Sequence, residues 1–302
     1  MKTLRTPDER FAGLPDYAFE SHYLDINDGD GGTLRVHYID EGPADAAPVL
    51  LMHGEPSWSF LYRHMIPVLV AAGHRVVAPD LVGFGRSDKP TEVTDYSYAR
   101  HVAWMAEALF DHLDLTGITY FGQDWGGMIG LRLVAEHPHR FARVVVGNTA
   151  LPTGEGKISK AFLEWQQFAK ESPVFPIGKI IGGGCALPLT AEVTAGYDAP
   201  FPDDTYKAGA RIFPSFVPTS PDDPSHDANV AAWSVLEKFD RPFLCAFSDS
   251  DPLTQGGDET FLRNVPGTAG QAHTTIVGAG HFLQEDKGPE VAQVIIDLIA
   301  RG

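Results

Sequence analysis

Short apolar runs of buried-strand length alternate with amphipathic stretches along most of this chain, and that alternation restricts the fold more than any other feature. Pro48–His53, Arg75–Ala78, Ile118–Phe121, Phe141–Gly147, Phe243–Phe247 and Thr274–Val277 read as strands. Between them the spacing predicts helices over Ser59–Ala72, Tyr98–Leu113, Met128–Glu136, Asn229–Lys238, Thr260–Asn264 and Val291–Ala300. Repetition of strand and helix implies a mainly parallel sheet covered on both faces. Near the start, Glu20–Ile26 and Thr33–Ile39 flank a Gly/Asp-rich turn, Asn27–Gly32, and predict a β-hairpin.

One segment breaks the pattern. Leu151–Asp223 has many prolines and no buried-strand run, and its clearest helical patch is Ile158–Lys170. It reads as a helical insertion over the carboxyl edge of the sheet, where open α/β folds place ligands. The expected organisation is therefore one α/β core, residues 1–150 and 224–302, with a helical cap over 151–223. A length of 302 residues suits that arrangement better than two full domains. Gly182–Gly184 lacks the Lys-Ser/Thr of a phosphate loop and is expected to be a turn.

Composition narrows the function classes. With 43% hydrophobic and 21% charged residues, the chain can bury a large core. A formal charge of -17 disfavours nucleic acid, which draws clustered Lys and Arg. Cys185 and Cys245 lie in no metal-binding spacing and are expected as free thiols in a reducing compartment. Met1–Phe11 has no signal-like apolar stretch, and no apolar run approaches about 18 residues. These features suggest a cytoplasmic protein without a membrane span; monomer is the default expectation.

The chemistry concentrates at Gly122-Gln123-Asp124-Trp125-Gly126-Gly127, which follows a strand and precedes a helix. That is the setting of a nucleophile elbow, with a carboxylate in place of the usual serine. An Asp carboxylate is already charged at neutral pH and can displace a leaving group from saturated carbon. Water must then cleave the resulting ester, which calls for a base and an oxyanion hole. The loop His53-Gly54-Glu55-Pro56 ends an early strand and suits the oxyanion role, with the backbone N–H groups of Glu55 and Trp125 as donors. Read as local structure alone, Asp124 would be a helix cap and the His53 loop a plain turn.

Among twelve histidines, His281 follows the last strand through a short Gly-rich loop, and the order nucleophile, acid, histidine fits it. His53 competes, but its loop is the wrong place for a triad base. Ser248-Asp249-Ser250-Asp251-Pro252 follows another strand and offers two carboxylates. Asp251 is preferred because Pro252 suits a loop already turning away, with Asp249 as the alternative. The other possible acid site shows Asn148-Thr149-Ala150 and no carboxylate.

Over nearly its whole length the sequence resembles the haloalkane dehalogenases. The resemblance rests on His53-Gly54-Glu55-Pro56-Ser57-Trp58, the stretch Pro79–Asp88, and Gln123-Asp124-Trp125-Gly126. It continues through Tyr197-Asp198-Ala199-Pro200-Phe201-Pro202 and Gly280-His281-Phe282 with Gln284-Glu285-Asp286. It implies an α/β-hydrolase fold, no cofactor and no metal, and hydrolysis of small apolar haloalkanes to primary alcohol, halide and proton. Two halide-binding indoles are also implied. Trp125 is one; Trp165 matches the second in the subfamily whose acid follows the seventh strand, the alternative being that it only packs the cap. By the same resemblance Glu55 helps hold the hydrolytic water, and Phe162, Phe213, Pro214, Val217 and Leu253 line an apolar pocket.

Two other functions compete. Epoxide hydrolases share the elbow, but epoxide opening yields an alkoxide that needs a proton donor, for which Tyr197 and Tyr206 are the possible acids. Halide leaves as a stable anion and needs only hydrogen-bond donors in a dry site. A non-catalytic ligand receptor on the same scaffold would keep the pocket without turnover, and the complete set of nucleophile, base and acid weighs against it.

Overall fold

The computed structural model describes residues 1–156 and 158–302. Eight strands of the described residues form the main sheet: β1 (His22–Asn27), β2 (Thr33–Glu41), β3 (Pro48–Met52), β4 (Arg75–Pro79), β5 (Ile118–Gln123), β6 (Phe141–Gly147), β7 (Phe243–Ser248) and β8 (Thr274–Ile276). Their order across the sheet is β8-β7-β6-β5-β3-β4-β2-β1. β1 and β2 form the antiparallel hairpin, β2 also pairs antiparallel with β4, and the other pairings are parallel. Every residue of β3, β5 and β7 is buried, the signature of parallel strands covered on both sides.

The helices are α1 (Ile66–Ala71), α2 (Tyr98–Ala106), α3 (Asp124–Glu136), α4 (Lys160–Glu171), α5 (Ile177–Gly184), α6 (Ala191–Asp198), α7 (Ala208–Ile212), α8 (His226–Leu236), α9 (Asp258–Asn264) and α10 (Leu283–Ala300). α1 packs on α10, while α2 and α8 flank α3, so each face of the sheet gains a helical layer. None is long and apolar enough to cross a membrane. After β3 the chain turns one way to β4 and returns on the other side to β5. The crevice beyond the carboxyl ends of β3 and β5 is therefore a topological switch point, the usual ligand position in open α/β sheets.

The structure departs from the sequence reading in several places. Ser59–Ala72 is not one helix: Ser59–Tyr62 is a 3-10 turn, and α1 begins at Ile66 with Pro67 in its first turn. A proline there lacks only an N–H that the helix end leaves unpaired anyway. α2 is capped by Ser97, whose Oγ accepts the Arg100 N–H at 3.1 Å, and it widens into a π-turn over Glu107–His112. α10 starts eight residues before Val291 and kinks at Lys287, just ahead of Pro289, whose ring obstructs regular helix.

The expected turn at Gly182–Gly184 is instead the last stretch of α5. These glycines permit close approach. A Cβ at Gly184 would lie 2.7 Å from the Phe282 ring, so a larger residue would push α5 off the loop that carries His281.

Candidate active site

β5 ends at Gln123, and the chain bends straight into α3 with Asp124 at φ 53°. A non-glycine residue in that region is strained, and the surroundings hold it there. The Asp124 N–H donates to the Asn148 carbonyl at 3.0 Å, and the Asp124 carbonyl accepts the Thr149 hydroxyl at 2.7 Å. Both anchors come from the end of β6. A Cβ at Gly126 would stand 1.9 Å from the Met52 carbonyl, so the helix start can sit on β3 only with glycine there. The bend aims the Asp124 side chain into a cavity of about 750 Å³.

His281 Nε2 lies 3.4 Å from Asp124 Oδ2, and its Nδ1 lies 2.9 Å from Asp251 Oδ2. Asp251 is buried and also accepts the Leu253 N–H at 2.9 Å and the Thr254 hydroxyl. Burial would raise its pKa, yet His281 and these donors hold the carboxyl below the ordinary carboxylate value. Burial likewise pushes the imidazole pKa of His281 down, but Asp251 and Asp124 together lift it above the usual histidine value. Asp249 faces elsewhere, accepting the Gly278 N–H at 2.9 Å and the Ser250 hydroxyl at 3.0 Å. Of the two carboxylates on this loop, Asp251 is the one that meets the imidazole.

The His281 backbone is held from three sides. Its N–H donates to the Gly184 carbonyl at 2.7 Å, and its carbonyl accepts Asn148 Nδ2 at 3.0 Å and Gln123 Nε2 at 3.1 Å. Gln123 Nε2 also sits 3.0 Å from His281 Nε2. The carbonyl contact fixes which end of the amide faces the ring, so an N–H donor is in place to meet the Nε2 lone pair once that nitrogen has lost its proton. Gln284 steadies the other end of that amide by donating to Gln123 Oε1 at 3.3 Å. The sequence reading missed Gln123, Asn148 as a scaffold, Thr149 and Thr254. Their only signal was polarity at positions where strands give way to loops.

The Glu55 N–H donates to Asp124 Oδ1 at 2.7 Å. Trp125 is in the first turn of α3, where N–H groups have no intrahelical acceptor. The Glu55 side chain borders the cavity and is almost fully buried, with Oε1 unpartnered. Burial, with Asp124 nearby, raises its pKa well above the normal carboxylate range.

Trp125 and Trp165 both line the cavity, and neither indole N–H meets an acceptor among the described residues. Trp58 and Trp233 differ, for their indoles donate to the carbonyls of Gly196 and Leu151. Trp125 is wedged edge-on between Tyr98 and Phe213, with centroids 5.0 and 4.9 Å away. Trp165 stacks on Phe168 and Phe175.

Phe162, Pro214, Val217 and Leu253 are at the cavity wall. Phe213 is not, which corrects the sequence reading. The chain leaves α7 in a 3-10 turn over Phe213–Phe216, and this turns the Phe213 ring inward against Phe84, His101 and Trp125. It supports the Trp125 ring from behind. No tyrosine lines the cavity among the described residues. Tyr197 is fully buried and donates to Glu285, which is itself paired with Arg63 at 2.5 Å.

This sheet, with its carboxylate elbow and paired histidine, places the chain among the α/β hydrolases, and the sequence model of the alpha/beta hydrolase fold matches residues 47–288. A haloalkane dehalogenase of Psychrobacter cryohalolentis is 60% identical over 99% of this chain and 98% of its own. One of Mycolicibacterium paratuberculosis is 53% identical over 98% of each. A solved haloalkane dehalogenase from Paraglaciecola agarilytica, described as tetrameric, superposes with a TM-score of 0.88 at 37% identity over 97% of each chain. The chain belongs to the haloalkane dehalogenases.

Proposed function

We propose that this dehalogenase works through a covalent ester on Asp124, resolved by water that His281 activates. The observation that carries the reading is the division of labour between the two Asp124 oxygens. Oδ1 is held by the Glu55 N–H, whereas Oδ2 faces His281 and the cavity. Oδ2 is the free nucleophile. It forms a bond to the halogen-bearing carbon as the carbon–halogen bond breaks, and the halide leaves with the bonding electrons. The unpartnered N–H groups of Trp125 and Trp165 receive that anion in a largely apolar cavity, where such hydrogen bonds are strong.

Alkylation turns Asp124 into a neutral ester. One of the two negative charges that favour a proton on His281 disappears, which frees the imidazole as a base at the moment water must be activated. His281 takes a proton from water as the hydroxide oxygen attacks Asp124 Cγ. The oxyanion then develops on Oδ1, already facing the Glu55 N–H, with the Trp125 N–H as the second donor. Collapse expels the alcohol, protonated by His281, and leaves Asp124 as a carboxylic acid, which releases its proton to solvent and so restores the carboxylate. Asp251 orients the imidazole, and the Glu55 carboxyl helps hold the water.

Helices α4 to α7 act as a cap over residues 151–223, and the rest as the core. The substrates are small apolar haloalkanes, with a monomer as the working unit. The epoxide reading lacks its proton donor, because Tyr197 is engaged by Glu285 and no tyrosine among the described residues reaches the cavity. A halide-release assay on 1,2-dibromoethane beside styrene oxide is the test: bromide release without diol formation is expected, and the reverse would overturn the proposal.

A further inference from the structure

The peptide group joining Gly54 to Glu55 presents its N–H to the nucleophile and its carbonyl to a cluster of donors. That carbonyl accepts three hydrogen bonds, from His53 Nδ1 at 2.9 Å, the Ser57 N–H at 3.1 Å and the Ser57 hydroxyl at 3.0 Å. The state of His53 follows from its other side. The Leu81 N–H points at His53 Nε2 at 2.9 Å, so Nε2 is the acceptor and Nδ1 carries the hydrogen given to Gly54. The imidazole is fully buried, and burial keeps it neutral by lowering its pKa.

The N–H and C=O of one trans peptide point in opposite directions within one plane. Whatever fixes the Gly54 carbonyl therefore aims the Glu55 N–H, which meets Asp124 Oδ1 at 2.7 Å. Three donors on the carbonyl also polarise the amide and make its N–H a stronger donor, as in any chain of hydrogen bonds. A Cβ at Gly54 would fall 2.2 Å from Asp124 Oδ1, so this peptide is pressed against the nucleophile.

We propose that His53 and Ser57 are positioning residues that aim and polarise the oxyanion-hole peptide for the ester-hydrolysis step. His53 is thus a neutral, tautomer-locked prop, distinct in role from the base His281. Asp80 sets the far end of the prop. Its carboxylate accepts the Ser59 and Arg86 N–H groups at 2.8 Å each and meets His37 Nδ1 at 2.7 Å, which fixes the loop that presents Leu81.

The inference rests on the proposed ester mechanism and predicts opposite effects on its two steps. The Glu55 N–H holds Oδ1 more strongly as a carboxylate than as an ester carbonyl, so weakening it does not slow alkylation. The same donor faces full negative charge when water attacks, so weakening it slows hydrolysis.

The experiment is rapid-quench turnover of 1-bromobutane by wild type, Ser57→Ala, Ser57→Thr and His53→Gln, reading the bromide burst and the butyl-enzyme mass. Ser57→Ala is expected to keep or raise the alkylation rate and lower the hydrolysis rate by roughly 3- to 10-fold. Butyl-enzyme should accumulate accordingly, and Ser57→Thr should restore the wild-type ratio. His53→Gln, whose amide falls at the Nε2 end and leaves the Gly54 carbonyl without its Nδ1 donor, should show the same split. Equal loss in both steps tracking a lower Tm, or no change in Ser57→Ala, overturns the inference. Absence of any butyl-enzyme, even with His281→Gln, would instead overturn the ester mechanism itself.

Discussion

The Gly184 carbonyl at the end of α5 accepts the His281 N–H at 2.7 Å, so a helix of the proposed cap directly sets the height of the base in the core. Gly184→Ala is expected to lower kcat by at least about 10-fold, since displacement near 1 Å at a catalytic group can cost on the order of 100-fold. The added methyl would meet the Phe282 ring, next to His281. Steady-state kinetics beside a melting curve check this; wild-type kcat would mean that α5 yields without moving the base.

His281→Gln should trap the reaction halfway. Asp124 is still expected to be alkylated by 1-bromobutane, but water is not activated, and intact-protein mass should rise by one butyl group per chain. Asp251→Asn should let the ester form and hydrolyse slowly, with kcat lower by on the order of 10³–10⁴, the scale seen when a histidine loses its orienting carboxylate.

Replacing Trp125 or Trp165 by Phe removes one indole N–H and leaves an aromatic ring in place. A hydrogen bond to an anion contributes about 1.5–3 kcal/mol, so the bromide Kd should rise roughly 10- to 100-fold in each variant. Quenching of the remaining tryptophan fluorescence by bromide measures it.

Asp80 couples stability to acid. Burial would raise its pKa, but His37 and backbone donors hold it well below the ordinary value. A depressed folded pKa contributes stability that is present above the unfolded carboxylate value of about 3.9 and lost as pH falls toward the folded one. Asp80→Asn should therefore be less stable at neutral pH, by on the order of 2 kcal/mol. Its stability should also fall less steeply than wild type below about pH 4, as denaturant unfolding from pH 7 to pH 3 would reveal.

The sheet was legible because buried parallel strands must be apolar throughout, and β3, β5, β6 and β7 carry runs of that kind. The elbow was legible because an acidic residue between glycines at a strand end has few structural uses. What escaped depends on distance in the chain. Gln123 lies 158 residues from the ring nitrogen it meets, and Tyr197 pairs with a residue 88 positions away. Phe213 looked like pocket lining because an apolar residue in the cap suits a wall and a support equally well. The direction of a side chain leaving a 3-10 turn cannot be read from residue type. The glycines at 182–184 misled for a related reason: their use is to let a neighbour in, and the sequence does not say which neighbour comes.

Tyr197, Glu285 and Arg63 bolt α6 to the core through buried, partly ionic bonds, whereas α4 buries only Ala169 completely and leaves Leu163 46% exposed. A roof fastened along one eave can lift only along the other. Entry of substrate and departure of alcohol and halide should therefore pass beneath α4, and engineering aimed at faster exchange belongs on that rim rather than at the clasp.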